Sequence, residues 1–253
     1  MLRVTADGGR DPRGDVLAVE EPLEIRVDGS PVVVTMRTPG DDIELAAGFL
    51  YTEGLLGAGT GISSITMCDD NVALVTVTVP VAVRSRSFLA TSACGVCGKD
   101  SIESVRVRSA FDVAADQARV PASVLLSLPA LLRSAQRVFA STGGLHAAGL
   151  FTAAGELLVA REDVGRHNAV DKVAGWALLS GRLPLAGCVL MVSGRASFEL
   201  AQKAVMVGVP VLAAVSAPSS LAVSLAVETG LTLAGFVRGS AFNLYAGASR
   251  VTS

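Results

Sequence analysis

The chain has 253 residues, 51% of them hydrophobic and only 17% charged, which supplies ample material for a packed core and excludes a disordered protein. A formal net charge of -2 excludes the basic footprint that a nucleic-acid-binding domain needs. Four cysteines make no disulfide framework in a chain this long, so a reducing compartment, the cytoplasm, is expected.

Arg3, Asp7 and Arg10 stand where a signal peptide would need its apolar core, so no export is expected. Before residue 20 the pattern offers only a strand-like run at 16–19. Residues 23–27 alternate apolar and polar, turn at Asp28-Gly29-Ser30 and resume at 32–37, which predicts a hairpin. Thr38-Pro39-Gly40 ends that strand, and Asp41 or Asp42 is available to cap a helix. Ile43, Ala46, Ala47 and Leu50 share one face of this helix, which stops near Gly54. Residues 62–68 and 72–79 predict a second hairpin about Asp69-Asp70-Asn71. The first part of the chain, residues 1–115, thus reads as a small α+β unit. Its segment 81–86 leads toward a cysteine loop, and Arg84 and Arg86 there suit either an anion or a solvated edge. Residues 111–121 look like a connector, and the second domain spans 116–253.

In that domain, residues 125–139 have helical spacing, and 144–152 with 156–161 predict a hairpin about Ala153-Ala154-Gly155. Helix and strand signals then alternate: helix 168–180, strand 188–193, helix 198–207, strand 211–215, helix 220–228, strand 231–237. Such alternation predicts an α/β fold with a largely parallel sheet and helices packed on its faces. The uncharged run 204–227 is broken by Gly208, Pro210 and Pro218, so it reads as a helix end, a buried strand and a new helix, not a membrane span. Cys68 and Cys188 lie in apolar runs and read as buried small hydrophobes.

Chemistry concentrates first at Cys94-Gly95-Val96-Cys97-Gly98-Lys99. Each cysteine is followed by a glycine, which lets the backbone approach a ligand and leaves the sulfur unshielded. Asp100 and Ser101 are N-cap residues for a short helix after the lysine. A thiol ahead of a helix N-terminus and beside a cation has its thiolate favoured. A structural zinc half-site or an exposed loop would use the same spacing, but no second C-x-x-C completes a four-ligand cage. The motif reads as reactive sulfur.

Three polar clusters fall where strands of the second domain should end: Ser141-Thr142-Gly143-Gly144-Leu145-His146, residues 161–168, and Ser193-Gly194-Arg195-Ala196-Ser197. Ligands of open α/β sheets bind at the carboxyl ends of strands. Glycines there admit backbone amides to a phosphate, and Arg166 and Arg195 can hold phosphate oxygens. Turn chemistry explains any single cluster; three at one edge point to an anionic, nucleotide-like ligand. His146 and His167 are the only histidines, the first read as structural and the second, among Arg166, Asn168 and Asp171, as structural or ligand-facing. A zinc-dependent base deaminase is excluded by its own signature. That chemistry needs H-x-E followed by P-C-x-x-C, whereas His146 is followed by Ala147-Ala148 and the C-x-x-C lies upstream.

The C-G-V-C-G loop, the run Glu162-Asp163-Val164-Gly165-Arg166-His167-Asn168-Ala169-Val170-Asp171-Lys172, the Ser193-Gly194-Arg195 cluster with Ser197 and Glu199, and Gly235-Phe236-Val237-Arg238 with Asn243 and Tyr245 occur in that order. Together they resemble the formate dehydrogenase accessory sulfurtransferases, the FdhD family, over nearly the whole chain. The resemblance implies a sulfur carrier that accepts persulfide sulfur from a cysteine desulfurase and passes it to bis-molybdopterin guanine dinucleotide before that cofactor enters formate dehydrogenase. It implies Cys94 as the persulfide carrier with Cys97 assisting. It further implies Phe236, Val237, Arg238, Gly239, Ser240 and Ala241 as the cofactor-binding segment, with Ser193 and Arg195 nearby, a three-layer second domain similar to cytidine deaminase, and a homodimer. The alternatives are a thiol–disulfide oxidoreductase using the same cysteines and a non-enzymatic molybdenum-cofactor chaperone.

Overall fold

A computed structural model describes residues 1–56, 60–79, 89–90 and 109–253. Cys94, Cys97, Lys99, Arg84, Arg86 and the expected helix after Lys99 lie outside the described residues.

The chain begins with β1 (Leu2–Val4) and β2 (Arg10–Pro12), a two-stranded ladder of exposed residues. The strand expected at 16–19 does not form. Val16, Leu17 and Val19 have no partner strand and stand more than half exposed. The first expected hairpin is β3 (Glu21–Val27) and β4 (Ser30–Arg37), followed by α1 (Asp42–Thr52). The second is β5 (Ile62–Asp69) and β6 (Val72–Val77). With β7 (Leu89–Ala90) they form a five-stranded sheet of order β5-β6-β3-β4-β7. Its inner face carries Leu23, Ile25, Val33, Ala73 and Val75, which pack on Leu45, Ala46 and Leu50 of α1.

No aspartate side chain caps α1. Asp41 is left-handed at φ 56 and its side chain makes no cap bond. The acids answer arginines instead: Asp42 pairs with Arg37 at 2.9 Å and Asp41 with Arg161 at 3.4 Å.

Residues 111–121, expected as a connector, bury only Val113 and Val120. Asp112 caps a 3-10 turn at Val113–Ala115, and Val113 enters the core of the second sheet. Then follow β8 (Val120–Pro121), α2 (Ala122–Ala135), α3 (Arg137–Thr142), β9 (His146–Thr152), β10 (Leu157–Asp163), α4 (Arg166–Leu179), β11 (Cys188–Val192), α5 (Phe198–Met206), β12 (Val211–Ala214), α6 (Ser220–Thr229), β13 (Thr232–Arg238), β14 (Ala241–Ala246) and β15 (Val251–Thr252). β15 pairs with β8, and Arg250, 5% exposed, donates to the carbonyls of Val113, Ala114, Asp116 and Gly230. That arginine ties the end of the chain to the 3-10 turn.

The central sheet has order β10-β9-β11-β12-β13-β14. Only β11–β12 and β12–β13 are parallel; the other three pairings are antiparallel. The expectation of a largely parallel sheet is corrected. The short turns between β9 and β10 and between β13 and β14 permit only hairpins, and α/β crossovers occur only in the middle. One face is covered by α2 through Leu125, Leu128 and Leu132. The other is covered by α4, α5 and α6, which makes three layers.

The most extensive helix contact joins α1 to α4. A Cβ on Gly48 would lie 1.8 Å from the Asp171 carbonyl oxygen, and one on Gly175 1.8 Å from that of Glu44. The two backbones therefore touch. α4, pressed between the sheet and α1, is buried on nearly every side. Its polar residues must find partners inside, and those partners come largely from the first part of the chain.

Candidate functional site

β11, β12 and β13 end at one edge of the sheet, and β9 starts there because it runs antiparallel to β11. Asp163, at the end of β10, pairs with His146 at the same edge. All three polar clusters of the sequence therefore come together. Backbone hydrogen bonds stitch them. Ser193 N donates to the Ala147 carbonyl at 3.0 Å, and Ser193 Oγ accepts from Ala147 N at 2.9 Å. Ser216 N donates to the Gly194 carbonyl at 3.3 Å, while the Ser216 carbonyl accepts from Phe236 N at 3.1 Å. The segment at 193–195 and the segment starting at Phe236 are thus joined through one residue, which no motif singled out.

The segment from Phe236 to Ala241 covers the end of β13, a turn at Gly239-Ser240 and the start of β14, a strand the sequence pattern did not announce. Phe236 has φ 54, a left-handed conformation costly for an aromatic residue. The pairing register slips between Gly235 and Arg238. Gly235 is required here, since a Cβ would meet Pro218 at 2.9 Å and Tyr245 at 3.0 Å. Val237 is buried, Arg238, Gly239, Ser240 and Ala241 are exposed, and the Arg238 guanidinium sits 5.6 Å from the Phe236 ring centroid. A β-bulge beside a strained aromatic re-aims side chains at a sheet rim.

Two histidines flank the edge. His146 is held below its ordinary pKa by burial, and then by the positive charge of Arg166 and by His167, so its ring is neutral near pH 7. Gly194 packs against it: a Cβ there would stand 3.4 Å from His146 Nδ1. His167 Nε2 lies 3.4 Å from Ser197 Oγ and 3.6 Å from Glu199 Oε2. The neighbouring His167, with help from Ser197, pulls Glu199 down to about 2. Glu199 is therefore ionised and already engaged.

Arg195 is exposed, and Arg166 is half-buried with its Nε sealed from solvent and without a partner among the described residues. An orphaned guanidinium nitrogen, two further exposed arginines and glycine-lined turns suit a ligand with several negative charges. The acids at the same edge are occupied: Asp163 by Lys172 at 2.9 Å, and Glu162 by the backbone N–H groups of Val138 and Phe139.

Several residues of the long 162–172 run serve the fold. Asp163, fully buried, accepts from the amides of Thr38 and Gly165 and from Asn168 Nδ2. Lys172 donates to the Thr38 carbonyl at 2.9 Å. Asp171 does not face His167; it accepts from Thr52 Oγ1 at 2.7 Å and from Lys203 Nζ at 2.9 Å. Burial disfavours a charge on Lys203, but Asp171 and Glu53 outweigh it and keep the ammonium charged. The same burial raises the Asp171 carboxyl. Cys68, expected inside, is exposed on β5, whose outer positions face solvent. Cys188 is half-buried, and burial raises its thiol.

Among the described residues no helix is long and apolar enough to cross a membrane. The uncharged run is divided, as expected, into the end of α5, β12 and the start of α6.

These features define an α/β protein whose glycine- and arginine-bearing loops share one sheet edge. Residues 18–252 match the FdhD/NarQ family, and the chain belongs to it. It is 60% identical to a protein of Mycolicibacterium paratuberculosis named sulfur carrier protein FdhD, over 94% of this chain and 93% of the relative. A protein of the same name from Sulfolobus acidocaldarius is 44% identical, over 97% and 94%. Among solved structures, one described as a formate dehydrogenase accessory protein of Desulfotalea psychrophila superposes with a TM-score of 0.79. It is 25% identical and the match covers 100% of this chain and 97% of that one.

Proposed function

We propose that the chain is a sulfurtransferase that carries sulfane sulfur on Cys94 and delivers it to bis-molybdopterin guanine dinucleotide in support of formate dehydrogenase. The single observation that carries this reading is the family match over residues 18–252, which spans both the C-G-V-C-G loop and the convergent polar edge. In the first step the Cys94 thiolate attacks the terminal sulfur of a cysteine desulfurase persulfide. The donor S–S bond breaks, the donor leaves as a thiolate, and Cys94 holds the persulfide. Attack by the Cys97 thiolate on Cys94 sulfur then releases the outer sulfur as hydrosulfide and leaves a Cys94–Cys97 disulfide, which a thiol reductant resets.

The molybdenum compound is a substrate in this scheme, and the edge is chemically matched to it. Arg166, Arg195 and Arg238 can hold its phosphates, and the segment at 236–241 can present Phe236 to a guanine. Ser193 and the amides about Gly194 can add hydrogen bonds. The protein acts in the cytoplasm as a homodimer in this reading.

The test is intact-protein mass spectrometry after incubation with a cysteine desulfurase and cysteine, on wild type, Cys94→Ala and Cys97→Ala. A one-sulfur increment, removed by reductant and missing in Cys94→Ala, is expected. Loss of the increment only in Cys97→Ala reverses the two roles. No increment in any sample, with an active desulfurase, defeats the sulfur-carrier reading.

A further inference from the structure

On the α2 face, beside the carboxyl edge, a cleft of about 500 Å3 opens between α2, α3, the start of β9 and the ends of β11 and β12. That volume suits a small organic ligand. Leu132, Phe139, Leu145 and Val215 make its apolar walls, and Gln136, His146 and Ser193 stand at its polar positions.

Gln136 is the unusual member. It is 6% exposed as a residue and lines the cleft. A carboxamide carries both a donor and an acceptor, so it can offer the two together to whatever enters. Phe139 is held in place from outside the cleft, because Glu162 accepts from its backbone N–H at 2.7 Å and from that of Val138 at 2.9 Å. Arg133 stacks on the Phe139 ring at 4.0 Å and places a cation at the mouth. Ser193 Oγ, already an acceptor for Ala147 N, keeps its proton to donate.

A largely apolar cleft with an aromatic wall and one carboxamide can take a planar heterocycle. The donor and acceptor of a carboxamide stand side by side and match a ring lactam, whose N–H and C=O are likewise adjacent. Guanine and pterin share this edge in their 2-amino-4-oxopyrimidine ring. We propose that the cleft is a second ring subsite, in which Gln136 reads the lactam edge of such a heterocycle while Phe139 supplies a stacking face. The inference rests on the reading of bis-molybdopterin guanine dinucleotide as substrate: that molecule carries two guanines and two pterins, more rings than the segment at 236–241 can engage.

Titration calorimetry of the full chain with GDP, and separately with free pterin, tests it on wild type, Gln136→Leu and Gln136→Glu. Leucine removes both hydrogen bonds at similar size, and glutamate removes the donor. At least one probe should lose about tenfold or more in affinity in both variants, with thermal unfolding unchanged in whichever variant is compared. Loss for GDP assigns the guanine end, and loss for pterin assigns the pterin end. Equal binding by wild type and a folded variant, or no binding of either probe to wild type, overturns the subsite. Persulfide formation on the same samples separates the two readings. Persulfide without ring binding removes only the subsite, and ring binding without persulfide removes only the sulfur-carrier function.

Discussion

Gly48→Ala sets two effects of opposite sign against each other. In an exposed helix interior, alanine in place of glycine stabilises by about 1 kcal/mol. Here the added Cβ would stand 1.8 Å from the Asp171 carbonyl oxygen, a backbone atom of another buried helix with no rotamer to yield. Relief requires α1 and α4 to part by well over an ångström. Overpacking of this kind costs about 1–3 kcal/mol. The same displacement pulls Thr52 and Glu53, at the end of α1, away from Asp171 of α4, which Thr52 meets at 2.7 Å and which shares Lys203 of α5 with both, and weakening a buried ionic cluster adds a further cost of about 2 kcal/mol or more. Packing outweighs propensity, for a net loss of about 3 kcal/mol, or roughly 6–12 °C in Tm for a chain of this size. Thermal and urea unfolding of the variant measure it. A variant as stable as wild type, or more stable, would refute the backbone contact between these helices. Gly175→Ala, whose Cβ would meet the Glu44 carbonyl at 1.8 Å, should behave alike.

Lys203→Met should cost about 3–5 kcal/mol because it strands a buried Asp171, and adding Asp171→Leu should restore most of that loss in urea unfolding. Failure of the double variant to recover would show that Lys203 acts through packing alone. Glu199 supplies a pH signature. Its carboxyl is lowered from 4.5 to about 2 in the folded state, so its contribution to stability is complete above about pH 4.5 and is lost as the pH falls toward 2. The stability difference between wild type and Glu199→Gln, measured by urea unfolding, should shrink across that window, and a difference independent of pH would argue against the pairing with His167.

The edge-forming elements were legible in the sequence because each depends on local pattern. Alternation marked β3 with β4 and β5 with β6, alternating helix and strand signals marked α5 and α6, and glycine-rich polar clusters marked the strand ends. Other features had no local signal. β14 drew no strand prediction, and its pairing with β13 depends on a register slip between Gly235 and Arg238. The antiparallel flanks of the central sheet follow from turn lengths, which alternation of helix and strand does not specify. The run at 162–172 showed its importance but not its cause, since the partners of Asp163 and Lys172 lie at Thr38, more than a hundred residues away.

The sequence by itself therefore determined the α/β class, the family, the paired cysteines and the gathering of glycine and arginine at strand ends. These depend on residue types at short spacing. Tertiary structure alone decided which charges are consumed by the fold and which stay unpaired or exposed at the edge. Lys172, Lys203, Arg166 and Arg195 are all cations beside polar turns in the sequence. Burial against α1 assigns the two lysines to Asp163 and Asp171, and leaves Arg195 exposed and Arg166 with an unpaired nitrogen. Only packing sets that division, because a charge inside must be paired with another group of the protein, whereas a charge at an open edge remains available to a ligand.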